Sequence, residues 1–320
     1  MERVLGCEAL FAFCIPTVRS WHLHDAFQWP ELDYLEGADG RRSPSALGSR
    51  RPGALTTLVK ALVFLGGGRI TNALLMGLRL AGYGRPIVVY DRHAAKLQKL
   101  RRRYGITVEL DLHRAVESAY LLIIAVRPDS VDGLLKEVGT VSRQLTAVSL
   151  AAGVPLSKLR SRIRPPVRWA RAMPSPVSRS GRGLTALTFD RGLSIAARGE
   201  LRDLFALVGP VLEIPERRFD AFTVTYSSSH GYHALATLVD AAEAIGLDRK
   251  SARVAAAHAL ADGIAAWRAG NFPLKELLQE AATPGGTAAA VMASLDDAGY
   301  RGIIAKGLRA GIRQARKNAK

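Results

Sequence analysis

The chain has 320 residues, 48% of them hydrophobic, and carries 45 lysines and arginines against 28 acidic residues, the composition of a folded globular protein with a net charge of +17. No apolar run approaches the ~20 residues of a membrane-spanning helix, so a membrane protein is not expected. The positive charge is scattered in small groups at 96–103, 160–171 and 301–320 without interleaved aromatics, which fits a solvated surface better than a nucleic-acid groove.

Residues 1–56 differ from the rest. Arginine, proline, glycine and serine crowd the stretch from Gly37 to Gly53, and Trp21, Phe27, Trp29 and Tyr34 follow no period, so a poorly ordered N-terminal extension is expected there. The apolar stretch Cys7–Val18 lies close to Glu2 and Glu8 and lacks a small-residue cleavage site, which argues against a signal peptide. Cys7 and Cys14 are the only cysteines, giving neither a disulfide framework nor a zinc site, and a cytoplasmic setting is expected.

The next segment organises the chain. The apolar run Leu62-Val63-Phe64-Leu65 feeds Gly66-Gly67-Gly68, and helical apolar spacing follows at Leu74, Leu75, Leu78 and Leu80. Strand, glycine turn and helix in that order form a dinucleotide fingerprint: Gly66 permits the tight bend, and Gly68 lets backbone N–H groups approach a pyrophosphate at a helix N-terminus. Thr71 takes the third small position. A second apolar run, Pro86–Tyr90, ends at Asp91, about 20 residues past the glycines, where an acid meets the adenosine ribose. Runs at Leu121–Val126 and Leu145–Leu150 alternate with helical patterns, the signature of a parallel sheet with crossover helices. Residues 57–215 are therefore expected to form an α/β Rossmann-type, doubly wound parallel sheet that binds NADPH or NADH. Asp91 favours NADH and Arg92 favours the 2′-phosphate of NADPH, and the two leave the choice open. A helix with Leu201, Leu204, Phe205 and Val208 on its apolar face closes at Gly209-Pro210, before a short run Val211–Ile214.

After Pro215 strand patterns cease, and 216–320 reads as all-helical. Tyr232, Leu235, Leu238, Val239, Ala242 and Ile245 trace one face before Gly246, a C-terminal glycine, and Asp248 caps a helix reaching Ala269. Helices over 273–280 and 286–297 flank Ala282-Thr283-Pro284-Gly285-Gly286-Thr287, and a basic helix starts near Arg301. His230, His233 and His258 fall short of the three or four converging groups that a zinc site needs, so no metal is expected. Ser228 and Thr287 stand at helix starts, where they serve either as N-caps or as substrate contacts.

Several stretches together resemble the pyrroline-5-carboxylate reductase family over roughly 62–317. They are Gly66-Gly67-Gly68-Arg69-Ile70, Ala125-Val126-Arg127-Pro128 (Ala-Val-Lys-Pro in the family), Leu150-Ala151-Ala152-Gly153, Arg171-Ala172-Met173-Pro174-Ser175 and, most specific, Thr283-Pro284-Gly285-Gly286-Thr287. The resemblance implies a cytoplasmic enzyme that reduces 1-pyrroline-5-carboxylate, a small imine carboxylate, to L-proline with NADPH or NADH. It also implies an all-α C-terminal domain that forms a homodimer or higher homo-oligomer.

Carried over by position, the resemblance implies that Leu65, Gly66, Gly67, Gly68, Arg69 and Ile70 hold the pyrophosphate. Ala125, Val126, Arg127 and Pro128 would border the nicotinamide side, and Leu150, Ala151 and Ala152 would line the same cofactor. Thr283, Gly285, Gly286 and Thr287 would bind the substrate carboxylate, with N–H groups at a helix N-terminus as the anion site. Ser228 and Thr287 would position the substrate, and His230 is a candidate substrate contact or proton donor. No dedicated acid–base residue is expected, because the protein mainly orients the imine against the cofactor.

This chain departs from the family where Tyr226-Ser227-Ser228-Ser229-His230-Gly231-Tyr232 replaces Ser-Gly-Ser-Gly-Pro-Ala-Tyr, where Ala288 replaces a threonine and where Leu112 replaces an asparagine. Those departures keep two alternatives in view: a reductase of another cyclic imine or small carbonyl, and a non-catalytic dinucleotide-binding relative.

Overall fold

The computed structural model describes residues 60–270 and 272–318. The extension expected over 1–56 lies outside them. Strands β1 (Ala61–Leu65), β2 (Ile87–Tyr90), β3 (Thr107–Glu109), β4 (Ala119–Ile124), β5 (Leu145–Ser149), β6 (Val167–Pro174), β7 (Thr185–Phe189) and β8 (Val211–Glu213) form one sheet in the order β3-β2-β1-β4-β5-β6-β7-β8. The apolar runs seen in the sequence become β1, β2, β4, β5 and β8. The sheet is not wholly parallel, however: β7 runs antiparallel to β6, and β8 follows β7.

Burial on both faces explains why the central strands read as unbroken apolar runs. Ala61, Val63 and Leu65 face one core layer, whereas Leu62 and Phe64 face the other. The first layer is covered by α3 (Leu112–Ser118), α4 (Pro128–Val138) and α5 (Leu156–Arg162), and the second by α1 (Arg69–Leu80), α2 (Ala94–Tyr104) and α6 (Ile195–Ala206). Each fully buried side chain, such as Phe64, contributes about 1.5–3 kcal/mol. β1 and β4 are adjacent while their crossovers leave in opposite directions, so a crevice opens beyond their carboxyl ends.

The rest is helical: α7 (Glu216–Thr225), α8 (Ser228–Ala244), α9 (Arg249–Ala269), α10 (Leu274–Ala281), α11 (Thr287–Asp297) and α12 (Tyr300–Asn318). The α8–α9 junction follows the sequence expectation. Gly246 adopts φ +105° and its N–H reaches Glu243 O, Leu247 N–H reaches Ala242 O, and the Asp248 carboxylate accepts from Lys250 and Ser251 N–H. Those paired backbone bonds form a Schellman stop.

The apolar face read from Tyr232 to Ile245 is only half covered. Leu235, Val239 and Ala242 pack on Ala252 and Ala256 of α9, but Tyr232 and Ile245 are 65% and 86% exposed. Ile264, Trp267, Ile303 and Ile304 are exposed as well. A helical period shows that a face needs cover, and here the described residues supply only part of it.

Candidate functional site

The glycine turn is shaped by contacts that no side chain could share. Gly66 sits at φ +110°, and a Cβ there would lie 2.7 Å from Ala125 O. A Cβ on Gly67 would meet Leu100 Cδ1 at 2.9 Å, whereas Gly68 is open and begins α1 as its cap. Thr71, fully buried, donates from Oγ1 to Gly66 O at 2.5 Å, so the hydroxyl at the third small position closes the turn on itself. Gly68 has no side chain to cap α1, which leaves the first N–H groups of the helix for an anion.

Asp91 holds this turn from behind. Its Oδ2 accepts from Gly67 N–H at 2.8 Å and from Lys96 Nζ at 2.6 Å, and its Oδ1 accepts from His93 N–H at 3.1 Å with His93 Nδ1 3.0 Å away. Burial disfavours the charged carboxylate, but the bonds from Lys96, Gly67 and His93 outweigh it and bring the pKa down to about 2. Both oxygens are therefore already engaged within the chain. Asp91 thus braces the glycine loop from within while also lining the cavity beside it.

A cavity of about 510 Å³ opens beside the turn, in the size range of cofactor sites. Gly66, Gly68, Asp91, Arg92, Ala125, Val126 and Arg127 line it together with Tyr90, His93, Lys96, Ser130, Gly133 and Leu134. Of the expected cofactor residues, Leu65, Gly67, Arg69, Ile70, Pro128, Leu150, Ala151 and Ala152 lie outside this lining. Leu65 is buried under the turn, where its carbonyl accepts from Ala125 N–H at 2.8 Å. Cations crowd the mouth: Arg92 bonds Glu137 Oε2 at 2.5 Å, and Arg127, at the start of α4, pairs with Asp129 at 3.1 Å. His93 and Lys96 escaped the sequence expectations, although a lysine one helical turn beyond the acid at the end of β2 is the kind of signal that marks them.

Leu150, Ala151 and Ala152 continue from β5 at the same end of the sheet, with Leu150 N–H bonded to Ile124 O at 2.9 Å. Ala151 N–H bonds Ser149 Oγ at 3.3 Å, and Asn318 Nδ2 of α12 donates to Ala152 O at 3.2 Å.

The expected substrate residues lie in the helical part, and none of them lines the cofactor cavity. Thr283-Pro284-Gly285-Gly286 forms a turn closed by Gly286 N–H to Thr283 O at 2.9 Å, with Gly285 at φ +77°. Proline then glycine at the centre is the order a type II turn requires. Gly286 caps α11 without a side chain, so Thr287 is the first helical residue and not the cap, with uncommitted N–H groups beside its hydroxyl. At α8 the cap is Ser227, whose Oγ accepts from Ser229 N–H, so Ser228 is likewise the first helical residue. His230 Nε2 lies 2.7 Å from Val224 O, so this nitrogen bridges α8 to the end of α7.

Residues 216–318 match a family model described as pyrroline-5-carboxylate reductase dimerisation, and 61–153 match one described as NADP oxidoreductase coenzyme F420-dependent. The chain is 30% identical over 256 residues to a pyrroline-5-carboxylate reductase of Corynebacterium melassecola, covering 78% of this chain and 95% of that protein. It is 32% identical over 262 residues to the protein of the same name from Thermus thermophilus, covering 79% and 96%. The structure of the Plasmodium falciparum pyrroline carboxylate reductase with NADP bound superimposes with a TM-score of 0.72 at 17% identity, covering 82% of this chain and 98% of that one.

Proposed function

This chain belongs to the pyrroline-5-carboxylate reductase family, and we infer that it is an oxidoreductase acting on a C=N bond, reducing 1-pyrroline-5-carboxylate to L-proline with NADPH or NADH. The observation that carries this reading is the crevice beyond β1 and β4. There Gly66 admits no Cβ, Gly68 leaves a helix start bare, and cations rim a cavity large enough for a nucleotide.

When bound, the reduced nicotinamide supplies a hydride for the imine carbon, and the C=N π pair moves onto the protonated ring nitrogen. What the protein contributes is placement. The bare start of α1 would hold the pyrophosphate, and Ala125–Pro128 and Leu150–Ala152 would border the nicotinamide. The start of α11, with Thr283, Gly285, Gly286 and the Thr287 hydroxyl, takes the substrate carboxylate, and Ser228 at the start of α8 orients the ring. The substrate residues and the cofactor cavity belong to separate parts of the chain, and the exposed apolar faces of α8, α9 and α12 call for a second copy to join them. Residues 57–215 are thus the cofactor unit and 216–320 the substrate and dimerisation unit of a cytoplasmic homo-oligomer.

NADPH is the preferred cofactor in this reading. Asp91 is engaged by Gly67, His93 and Lys96, so it makes a poor acceptor for a ribose diol, while Arg92 and Lys96 offer positive charge to a 2′-phosphate. The same demand for phosphate and carboxylate binding accounts for local positive charge without invoking nucleic acid.

The test is oxidation of NADPH and NADH, in parallel, with and without 1-pyrroline-5-carboxylate. Rapid imine-dependent oxidation, faster with NADPH, is expected. Cofactor binding without turnover would move the assignment to another cyclic imine or to a non-catalytic relative. The serines flanking Ser228 and His230, which depart from the glycines and proline of the family pattern that this stretch resembles, are the features that favour a changed substrate.

A further inference from the structure

Arg171, on β6 directly across from Ser149 of β5, is 1% exposed, and the activity as described gives it no task. Its Nη1 donates to Glu216 Oε1 at 3.0 Å, its Nη2 donates to Asp220 Oδ1 at 2.6 Å, and its guanidinium carbon stands 4.5 Å from the ring centre of fully buried Phe219. Glu216 and Asp220 lie one turn apart on α7, the first helix after the sheet. The same Glu216 oxygen accepts the Leu156 N–H that opens α5, at 3.0 Å. Arg171 therefore ties β6, the neighbour of the strand that leads into the Leu150–Gly153 loop, to α7, and Glu216 of α7 holds the start of the helix that leads out of the loop.

The far side of that loop is closed by α12. Gly153, at φ +77°, lies so close that a Cβ would stand 2.6 Å from Ala315 O, and Asn318 holds Ala152 O. α12 in turn packs on α7, with Gly311 against Val224. The loop is thus closed by α12 and followed directly by a helix start that α7 holds, and Arg171 anchors α7 to the sheet.

Stability alone is a weak reason for this cluster. Burying charge costs desolvation that an apolar filling avoids, and here Arg171 Nε and one Glu216 oxygen are buried without a partner among the described residues. What an apolar filling lacks is direction. A planar guanidinium bound to carboxylates at successive turns fixes both the height and the rotation of α7 against the strand.

We propose that Arg171 is a positioning residue: through Glu216 and Asp220 it sets the angle between the Leu150–Gly153 loop at the ring end of the cofactor site and the helical part that carries the substrate residues. This rests on the placement of cofactor and substrate given above. Loss of the anchor misaligns hydride donor and imine while leaving the adenosine end of the cofactor untouched.

The experiment compares Arg171→Met, Arg171→Lys and the milder Asp220→Asn with the parent as full-length protein, measuring thermal melting, NADPH affinity by fluorescence, kcat and KM for the imine, and hydrogen exchange at the Leu150–Leu156 amides. In Arg171→Met, kcat is expected to fall about tenfold or more, since small misplacements at a reacting centre are costly, with NADPH affinity within about twofold. Arg171→Lys restores part of kcat, because it keeps the charge but cannot fork, and exchange at 150–156 rises while the β1–α1 turn is unaffected. Unchanged kcat and unchanged loop exchange in folded Arg171→Met overturns the proposal. Should that variant not fold, Asp220→Asn decides on the same readouts, with a smaller fall in kcat expected and an unchanged value overturning it. Hydrogen exchange also separates the two readings: a parent inert toward the imine sinks the assigned reaction, whereas loop exchange that ignores Arg171 sinks this one.

Discussion

Replacing Arg92 by alanine tests the cofactor assignment with an internal control. Arg92 stands at the mouth of the cofactor cavity with its side chain 66% exposed, tied to Glu137. A hydrogen bond from a charged group to a phosphate contributes roughly 1.5–3 kcal/mol. Arg92 gives up some of an exposed ion pair to make it, and such pairs are worth about 0–1 kcal/mol. The net stabilisation of a bound 2′-phosphate is then about 1–2 kcal/mol, and since about 1.4 kcal/mol is a factor of ten, KM for NADPH should rise about 5- to 30-fold. NADH, which lacks that phosphate, should be affected less than about twofold by the same reasoning. The assay is the initial rate of imine-dependent oxidation of each reduced cofactor across its concentration range. Added salt should narrow the difference between parent and variant with NADPH, because the exposed contact is screened. An equal loss with both cofactors, or none with either, would refute the 2′-phosphate role of this corner.

Asp91→Asn should lower thermal stability at neutral pH. A native pKa of about 2 against a usual 3.8 corresponds to about 2 kcal/mol in favour of the folded state. Because the native value is depressed, that stabilisation is complete above about pH 4 and is lost as pH falls toward 2; melting curves should show the gap between parent and variant closing over that range, and a gap independent of pH would count against the brace. Thr287→Ala should raise KM for the imine carboxylate about 2- to 10-fold, the worth of one hydroxyl hydrogen bond, with NADPH affinity unchanged; an altered cofactor affinity would contradict a role confined to the substrate. His230→Ala should keep kcat within about twofold and lower stability by about 0.5–1 kcal/mol, since the ring serves the end of α7. A large fall in kcat with unchanged melting would restore His230 to the reaction.

The expectations that held were those that depend on local order along the chain. The apolar runs at Leu62–Leu65, Ile87–Tyr90 and Leu121–Ile124 and the strand Leu145–Ser149 are buried on both faces of the sheet, and a doubly buried strand has little polar alternation to obscure it. Gly246 and Asp248 mark a helix stop and a helix start through bonds to residues within a few positions of themselves. β6 and β7 were not legible. Arg168 and Arg171 interrupt the first, threonines interrupt the second, and Arg171 belongs in a strand only because α7 returns its carboxylates to the same spot.

Sequence by itself determined that this protein has a glycine-turn nucleotide site followed by helices, because a bend, a bare helix start and a run of apolar residues are properties of neighbours in the chain. Only the tertiary structure decided how residues far apart share their valences. Asp91 proved to be bound to Gly67, a residue 24 positions away, and His230 to be committed to a carbonyl. Arg171 proved to be joined to carboxylates 45 and 49 positions beyond it. A carboxylate only accepts, a guanidinium only donates and an imidazole does either, and the chain shows which residues are which; folding settles which partner arrives.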